Sequence, residues 1–315
     1  MLAESARSPE HLDVLRRLGL RSYMGVPLIA RGRTLGVLTL IMAESGRLFP
    51  RAELELALDV ARRAATAVDN ARLFEARSEV ARTLQETLLP PSLPEIPGLE
   101  LASQYRPAGT GAEVGGDFYD VFGTFDGRWA AIVGDVCGKG PAAAALTGVA
   151  RHTVRATAPA RPSPAGVLET LNGVMHRETE GSTFFTAAYL LFDPERRTLA
   201  VARGGHPAPL LLRSDGSVRE LGAPGLLLGP YPDARYAEES TQLEPGDIVV
   251  AYTDGVTEAR RDGDIFGEER LRDELARLGG ASAATVARTL QEAVTAFTRG
   301  EPHDDEAILV ARVTE

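Results

Sequence analysis

The sequence predicts an α+β fold, with antiparallel sheets covered by helices and, ahead of them, a β-hairpin and one long helix. Two observations lead there. Beyond residue 94, strand-like and helix-like runs fall in separate groups instead of alternating one for one, which favours hairpin-built sheets over a parallel core. Before it, residues 51–89 contain no glycine or proline, about 39 residues, far beyond an ordinary globular helix. The chain has 315 residues, 44% hydrophobic and 25% charged, enough to bury two cores.

Other classes are disfavoured by composition. A formal charge of −10 argues against nucleic acid as the main partner, because phosphate backbones are held by basic surfaces. A single cysteine rules out an intrachain disulfide. No apolar run reaches membrane-spanning length and the start shows no basic-then-apolar signal, so a cytoplasmic protein without a membrane partner is expected.

Residues 1–20 have helical spacing through Leu12, Val14, Leu15 and Leu18, stopping at Gly19, which reads as a surface helix or connector. Runs 22–30 and 34–42 are β-rich and joined by Arg31-Gly32-Arg33, a turn suited to a hairpin that must pack on something to be stable. In the long helix, Ala57, Ala61, Ala64, Val68 and Ala71 stand at steps of 4, 3, 4 and 3, and Phe74, Ala81, Leu84 and Leu88 continue the stripe. That spacing approaches a coiled-coil seam. Two readings stay open: a helix packed on its own hairpin as far as about Leu73, or in addition a parallel stalk that makes a homodimer through residues 54–88. Leu89-Pro90-Pro91 ends the helix, since proline lacks the amide donor and pushes its predecessor out of helical space. This divides the chain into 1–74, a helical linker 75–93 and a main domain 94–315. In the main domain strands are expected at 100–105, 117–122, 129–134, 183–193, 198–203, 209–213, 247–252 and 307–313, and helices at 141–157, 163–178, 268–278 and 284–298.

The apolar run 129–133 leads into Gly134-Asp135-Val136-Cys137-Gly138-Lys139-Gly140 and then an alanine-rich helix start, a strand-turn-helix with a carboxylate at its mouth. It is not a nucleotide P-loop: three residues, not four, separate Gly134 from Gly138-Lys139, and Gly140 stands where Ser or Thr would be. A cysteine-nucleophile phosphatase would need arginine six positions after Cys137, where the chain has Ala143, so Cys137 reads as a small packed residue. Asp135 remains.

Asp135 has company. Gly115-Gly116-Asp117-Phe118-Tyr119-Asp120, Tyr252-Thr253-Asp254-Gly255 and His303-Asp304-Asp305 also set aspartates where an apolar run starts or ends. Each alone could be a turn former or a solvated loop. Together they suggest carboxylates gathered around a cation, and oxygen-only ligands point to magnesium or manganese. Zinc would call for clustered histidine or cysteine, and the five histidines are scattered.

Two family resemblances follow from these motifs. Val26-Pro27-Leu28, Gly36-Val37-Leu38, Phe49 and Ala67-Val68-Asp69-Asn70-Ala71-Arg72-Leu73 resemble the C-terminal half of a GAF sensory domain, covering about 1–74. The earlier strands and pocket helices of such a domain are absent, so the chain looks like an N-terminally truncated piece and ligand sensing is not carried over. The four acidic segments, with Leu84-Gln85-Glu86-Thr87-Leu88-Leu89-Pro90, Gly205-His206-Pro207-Ala208-Pro209 and the 225–229 run, resemble bacterial metal-dependent serine/threonine phosphatases of the PPM or type 2C class. The branch is that of the stage II sporulation phosphatase and the stress-response sigma-factor regulators.

The PPM resemblance implies an α-β-β-α sandwich with two Mn2+ or Mg2+ ions at one edge. It implies Asp135 bridging both ions, Asp117 and the Val136 carbonyl on one, and Asp254 with Asp304, or Asp305 in its place, on the other. Asp120 and Gly255 would support these ligands from behind. Water held between the ions would attack phosphorus in line. The implied substrate is a phosphoserine or phosphothreonine protein such as an anti-sigma-factor antagonist, with control through the N-terminal stalk. Many relatives carry histidine where this chain has Lys139, which reads here as solvated or structural, with a phosphate contact the alternative; His206 reads as a packed turn residue, with an acid the alternative, and His303 lies beside Asp304. The rival reading is a catalytically idle module using the same fold to bind a partner.

Overall fold

The computed structural model describes residues 8–17, 19, 22–43, 47–108, 114–161, 163–300 and 302–315. The chain divides into two compact units, Met1–Arg77 and Ser78–Glu315. In the first, α1 (Pro9–Arg17) precedes an antiparallel hairpin of β1 (Ser22–Ala30) and β2 (Arg33–Met42). The expected helical segment 1–20 is thus helical over Pro9–Arg17, while Leu18 lies outside the described residues.

Helix α2 (Arg51–Leu88) is continuous. Met24 and Val26 alternate toward it and pack with Ala57 and Ala61, joined by Leu28, Leu38, Leu40 and Phe49. Small residues on the helix let the hairpin approach closely. Ala57, Ala61 and Ala65 are buried, at steps of four, whereas Ala64 is half-buried and Val68, Ala71 and Phe74 are exposed. The first part of the alanine seam therefore serves the hairpin, and its buried stripe runs through Ala65 rather than Ala64.

The second unit is a four-layer α-β-β-α sandwich, the architecture expected from the sequence. One sheet runs β10–β7–β6–β5–β4 and the other β3–β14–β11–β8–β9, all antiparallel. The first comprises β4 (Asp117–Gly123), β5 (Trp129–Val136), β6 (Phe185–Asp193), β7 (Thr198–Gly204) and β10 (Glu238–Gln242). The second comprises β3 (Leu99–Arg106), β8 (Leu210–Leu212), β9 (Val218–Glu220), β11 (Ile248–Tyr252) and β14 (Glu306–Val313). Central strands are apolar on both sides because both sides are covered. In β5, Ala131 and Val133 enter the core between the sheets, while Ala130 and Ile132 face α3 (Pro141–Thr157) and α4 (Pro164–Thr179). In β11, Val249 and Ala251 enter the same inter-sheet core. Ile248, Val250 and Tyr252 pack instead against α6 (Gly267–Ala276) and α7 (Ala283–Phe297), which follow a one-turn α5 (Asp254–Thr257) and the short β12 (Arg260–Arg261) and β13 (Asp264–Ile265).

Antiparallel pairing places the chemistry. Asp117 at the start of β4 is the cross-strand partner of Asp135 near the end of β5. Tyr252 at the end of β11 pairs with Ile308 near the start of β14. Asp254 and the Asp304-Asp305 pair thereby sit at matching ends of their own sheet.

Candidate metal centre

Carboxylate oxygens of Asp117, Asp135 and Asp254 lie within 4.8 Å of one another. Asp117 is 5% exposed and its Oδ2 is buried with no hydrogen-bond partner among the described residues. A buried, unpartnered carboxylate oxygen is costly unless a cation completes it. Burial is the first cause that pushes the Asp117 carboxyl well above the usual range, with the Asp135 and Asp305 charges adding to it and a hydrogen bond from Thr253 opposing. Burial and then Asp254 push Asp135 up to about 7. Asp254 is raised by burial, then by Glu258 and Asp304.

The glycines beside these aspartates keep the centre open. A Cβ on Gly116 would fall 2.0 Å from the Val136 carbonyl oxygen and 2.5 Å from Asp135 Oδ1, so both oxygens crowd the point that this residue leaves free. A Cβ on Gly255 would fall 1.9 Å from the Asp305 carbonyl oxygen, which is why the Asp254 turn can seat against the 304–305 loop. The amide of Val136 donates to Gly116 O at 3.1 Å and that of Gly140 to Val114 O at 2.7 Å, tying the two glycine-rich loops together. This donor set gathers several carboxylate and carbonyl oxygens, and it fits a divalent cation.

The adjacent acids differ in setting. Asp305 is buried, and its Oδ1 accepts the Ala108 amide at 2.7 Å. Asp304 is exposed at the rim, where its Oδ1 takes Lys139 Nζ at 2.9 Å and the Asp305 amide at 3.0 Å. Lys139 thus reaches into the acidic rim. His303 is exposed.

Two expectations change. Cys137 is exposed, not packed, because it lies in the turn just past the buried end of β5, where its amide donates to Phe184 O at 3.1 Å. Asp120 does not support the cluster from behind. It is three residues from Asp117 on one strand, so its side chain leaves by the opposite face, beside α3. There Arg151 Nε donates to its Oδ2 at 2.8 Å, and Arg155 donates from Nε at 2.5 Å and to Oδ1 at 2.7 Å. Sequence reasoning also passed over Thr253, which opposes the upward push of burial on Asp117 and whose hydroxyl accepts the Ala307 amide at 2.9 Å. Its place between Tyr252 and Asp254 was the available signal.

Comparisons with known proteins bear on the whole arrangement. A family model described as stage II sporulation protein E (SpoIIE) matches residues 125–314. The chain belongs to the SpoIIE family. A GAF domain model matches residues 2–68 ahead of this SpoIIE-type, PPM-class domain. The chain is 27% identical over 235 residues to the phosphoserine phosphatase RsbU of Bacillus subtilis (strain 168), covering 74% of this chain and 69% of RsbU. Among solved structures it resembles the RsbU and RsbW domains of Rv1364c from Mycobacterium tuberculosis, with 27% identity and a TM-score of 0.61 over 71% of this chain and 62% of that one. The PP2C domain of SiaA from Pseudomonas aeruginosa shares the fold at 22% identity, with a TM-score of 0.66 over 79% of this chain and 100% of that one.

The raised carboxyls give a pH dependence of stability. Carboxyls whose pKa rises on folding favour the folded state below their unfolded value of about 4, and that contribution is lost as pH rises. For Asp135 the loss extends through about 7. In chelator, the protein is expected to melt roughly 5 °C or more lower at about pH 8 than at about pH 5. Mn2+ should recover the difference at the higher pH. Calorimetric scans at both pH values check this, and equal melting in chelator would contradict it.

Proposed function

We propose that this SpoIIE-family phosphatase uses two Mn2+ or Mg2+ ions to hydrolyse a phosphoserine or phosphothreonine on a signalling protein, an anti-sigma-factor antagonist. The observation that carries the reading is the gathering of Asp117, Asp135 and Asp254 at the ends of both sheets, with a buried Asp117 oxygen that has no partner among the described residues. Asp135, between the other two segments, would touch both ions. Asp117 and the Val136 carbonyl would complete one position, and Asp254 with Asp304 the other. Asp304 is preferred because the family resemblance assigns it and because it lies against the Asp254-Gly255 turn, with Asp305 the alternative.

When bound, the cations supply the charge that neutralises phosphoryl oxygens and makes water nucleophilic at neutral pH. The chain's own contribution is orientation and access. Thr253 favours the charged form of Asp117, and Gly116 and Gly255 leave room where any side chain would block approach. Lys139, on the rim, must yield Asp304 for that carboxylate to bind a cation, and its ammonium is then placed at the mouth used by an anionic substrate. The negative protein can accept a phosphate because the local charge is set by the ions.

Phosphate release from a phosphoserine peptide or p-nitrophenyl phosphate is expected with Mn2+ or Mg2+ and is expected to disappear in chelator. Absence of turnover with every divalent cation would reject the enzyme and leave the partner-binding module. For assembly we propose a homodimer through 54–88. Leu56, Val60, Phe74 and Val80 are exposed on α2, which supports a second helix against it. Light scattering should give twice the chain mass, and a monomer at high concentration would remove the idea.

A further inference from the structure

The chain crosses from one sheet of the sandwich to the other between β7 and β8, and Gly205-His206-Pro207-Ala208-Pro209 makes that crossing. The crossing lies at the same edge as the aspartates. Gly205 bridges to Ala187, the neighbour of Thr186, and Thr186 is the cross-strand partner of Asp135. Gly205 has φ of 66°, a left-handed conformation in which a β-carbon would meet Leu227, so the turn depends on glycine there.

His206 is 4% exposed, unusual for an imidazole in a turn. Its Nδ1 lies 2.7 Å from Thr186 Oγ1, and its carbonyl accepts Arg203 Nη1 at 3.2 Å. Its Nε2 is buried without a hydrogen-bond partner among the described residues. Burial holds the ring's pKa down to about 3, against the pull of the Tyr252 backbone, so the imidazole is neutral. Tyr252 is the last residue of β11, two positions before Asp254. His206 therefore stands between Thr186, the cross-strand partner of Asp135 in one sheet, and β8, which pairs with β11 just ahead of Asp254 in the other.

We infer that His206 and Thr186 are a positioning pair that fixes the spacing of Asp135 and Asp254 and so sets the centre's affinity for its cations. The inference rests on the metal-centre reading. Packing alone would not require a polar ring here, because a buried imidazole loses solvation that its hydrogen bond to Thr186 must offset. Proton transfer does not explain it either, because none of the ring's described hydrogen bonds is to a carboxylate and the ring is shielded from solvent. Groups that orient ligands from behind typically change metal affinity by about 10–100-fold when removed.

The test is Mn2+ binding by calorimetry on the full chain, with Thr186→Val, Thr186→Ser and His206→Asn. Thr186→Val is nearly isosteric on a strand and is expected to weaken Mn2+ at least about tenfold. Its metal-free melting temperature should stay within a few degrees of wild type, and its pH–rate profile should keep its shape. Thr186→Ser, which keeps the hydroxyl, should bind like wild type. Wild-type affinity in Thr186→Val would overturn the inference and leave the metal-centre reading standing. Loss of one limb of the pH–rate profile in His206→Asn at unchanged Mn2+ affinity would also overturn it, making the ring a proton carrier. A wild-type chain that binds no Mn2+ would overturn both readings.

Discussion

Asp135→Asn is expected to lower phosphate release by on the order of 10³-fold or more while making the metal-free protein more stable. The two effects have opposite signs because the same carboxylate does two things. On the proposed reading it is a cation ligand grouped with Asp117 and Asp254, and charge stabilisation at such a centre is worth several kcal/mol, each 1.36 kcal/mol being about tenfold in rate. Without cations, it is a carboxyl raised to about 7 first by burial and then by Asp254, and it in turn raises Asp117. Asparagine keeps the shape and removes the charge, which relieves that repulsion. Turnover with Mn2+ and melting in chelator at neutral pH measure the two effects on one sample. Activity within about tenfold of wild type would mean the ions sit elsewhere. A lower melting temperature in chelator would mean that the carboxylate is held by a partner rather than repelled by its neighbours.

The four-layer architecture was legible because the central strands are buried on both faces and so read as unbroken apolar runs, as in 129–133 and 248–252. Edge elements were not. β10 is Glu-Glu-Ser-Thr-Gln at the margin of its sheet, with no apolar signal to find, and β9 is three residues long. The aspartates at the centre were legible one by one because strand ends and glycines mark them, and their order resembled a family signature. Long-range pairings left no local trace. The Thr186–His206 contact comes from pairing just past the end of the β6–β7 hairpin, and the Lys139–Asp304 ion pair joins segments that only the closed sandwich brings together. Asp120 shows the opposite failure. Its nearness to Asp117 in sequence suggested a shared site, yet alternation along β4 sends residues three apart to opposite faces. Ala57, Ala61 and Ala65 teach a related lesson: a stripe of small residues specifies close approach, and in this chain the hairpin takes the first share of it.

Asp120→Ala is expected to destabilise the protein by about 2–4 kcal/mol while leaving Mn2+ affinity unchanged, the reverse of the pattern at Asp135. Asp120 is 0% exposed and receives three guanidinium hydrogen bonds, two from Arg155 and one from Arg151. Removing it leaves both cations facing the strand with no counter-charge, but Arg155 is 42% exposed and can turn toward water, which keeps the loss below that of a fully buried pair. Arg151 is 13% exposed and has less freedom, since it also donates to the Leu88 carbonyl at 3.0 Å and so satisfies the end of α2. Loss of its carboxylate anchor should therefore loosen the last turn of that helix as well as the α3 face. At about 2–4 °C per kcal/mol for a domain of this size, the melting temperature should fall by roughly 5–15 °C. Arg151→Met should cost less, and the double variant should show coupling above about 1 kcal/mol, the mark of a shared interaction. A variant that melts like wild type but binds Mn2+ about tenfold more weakly would return Asp120 to the metal centre.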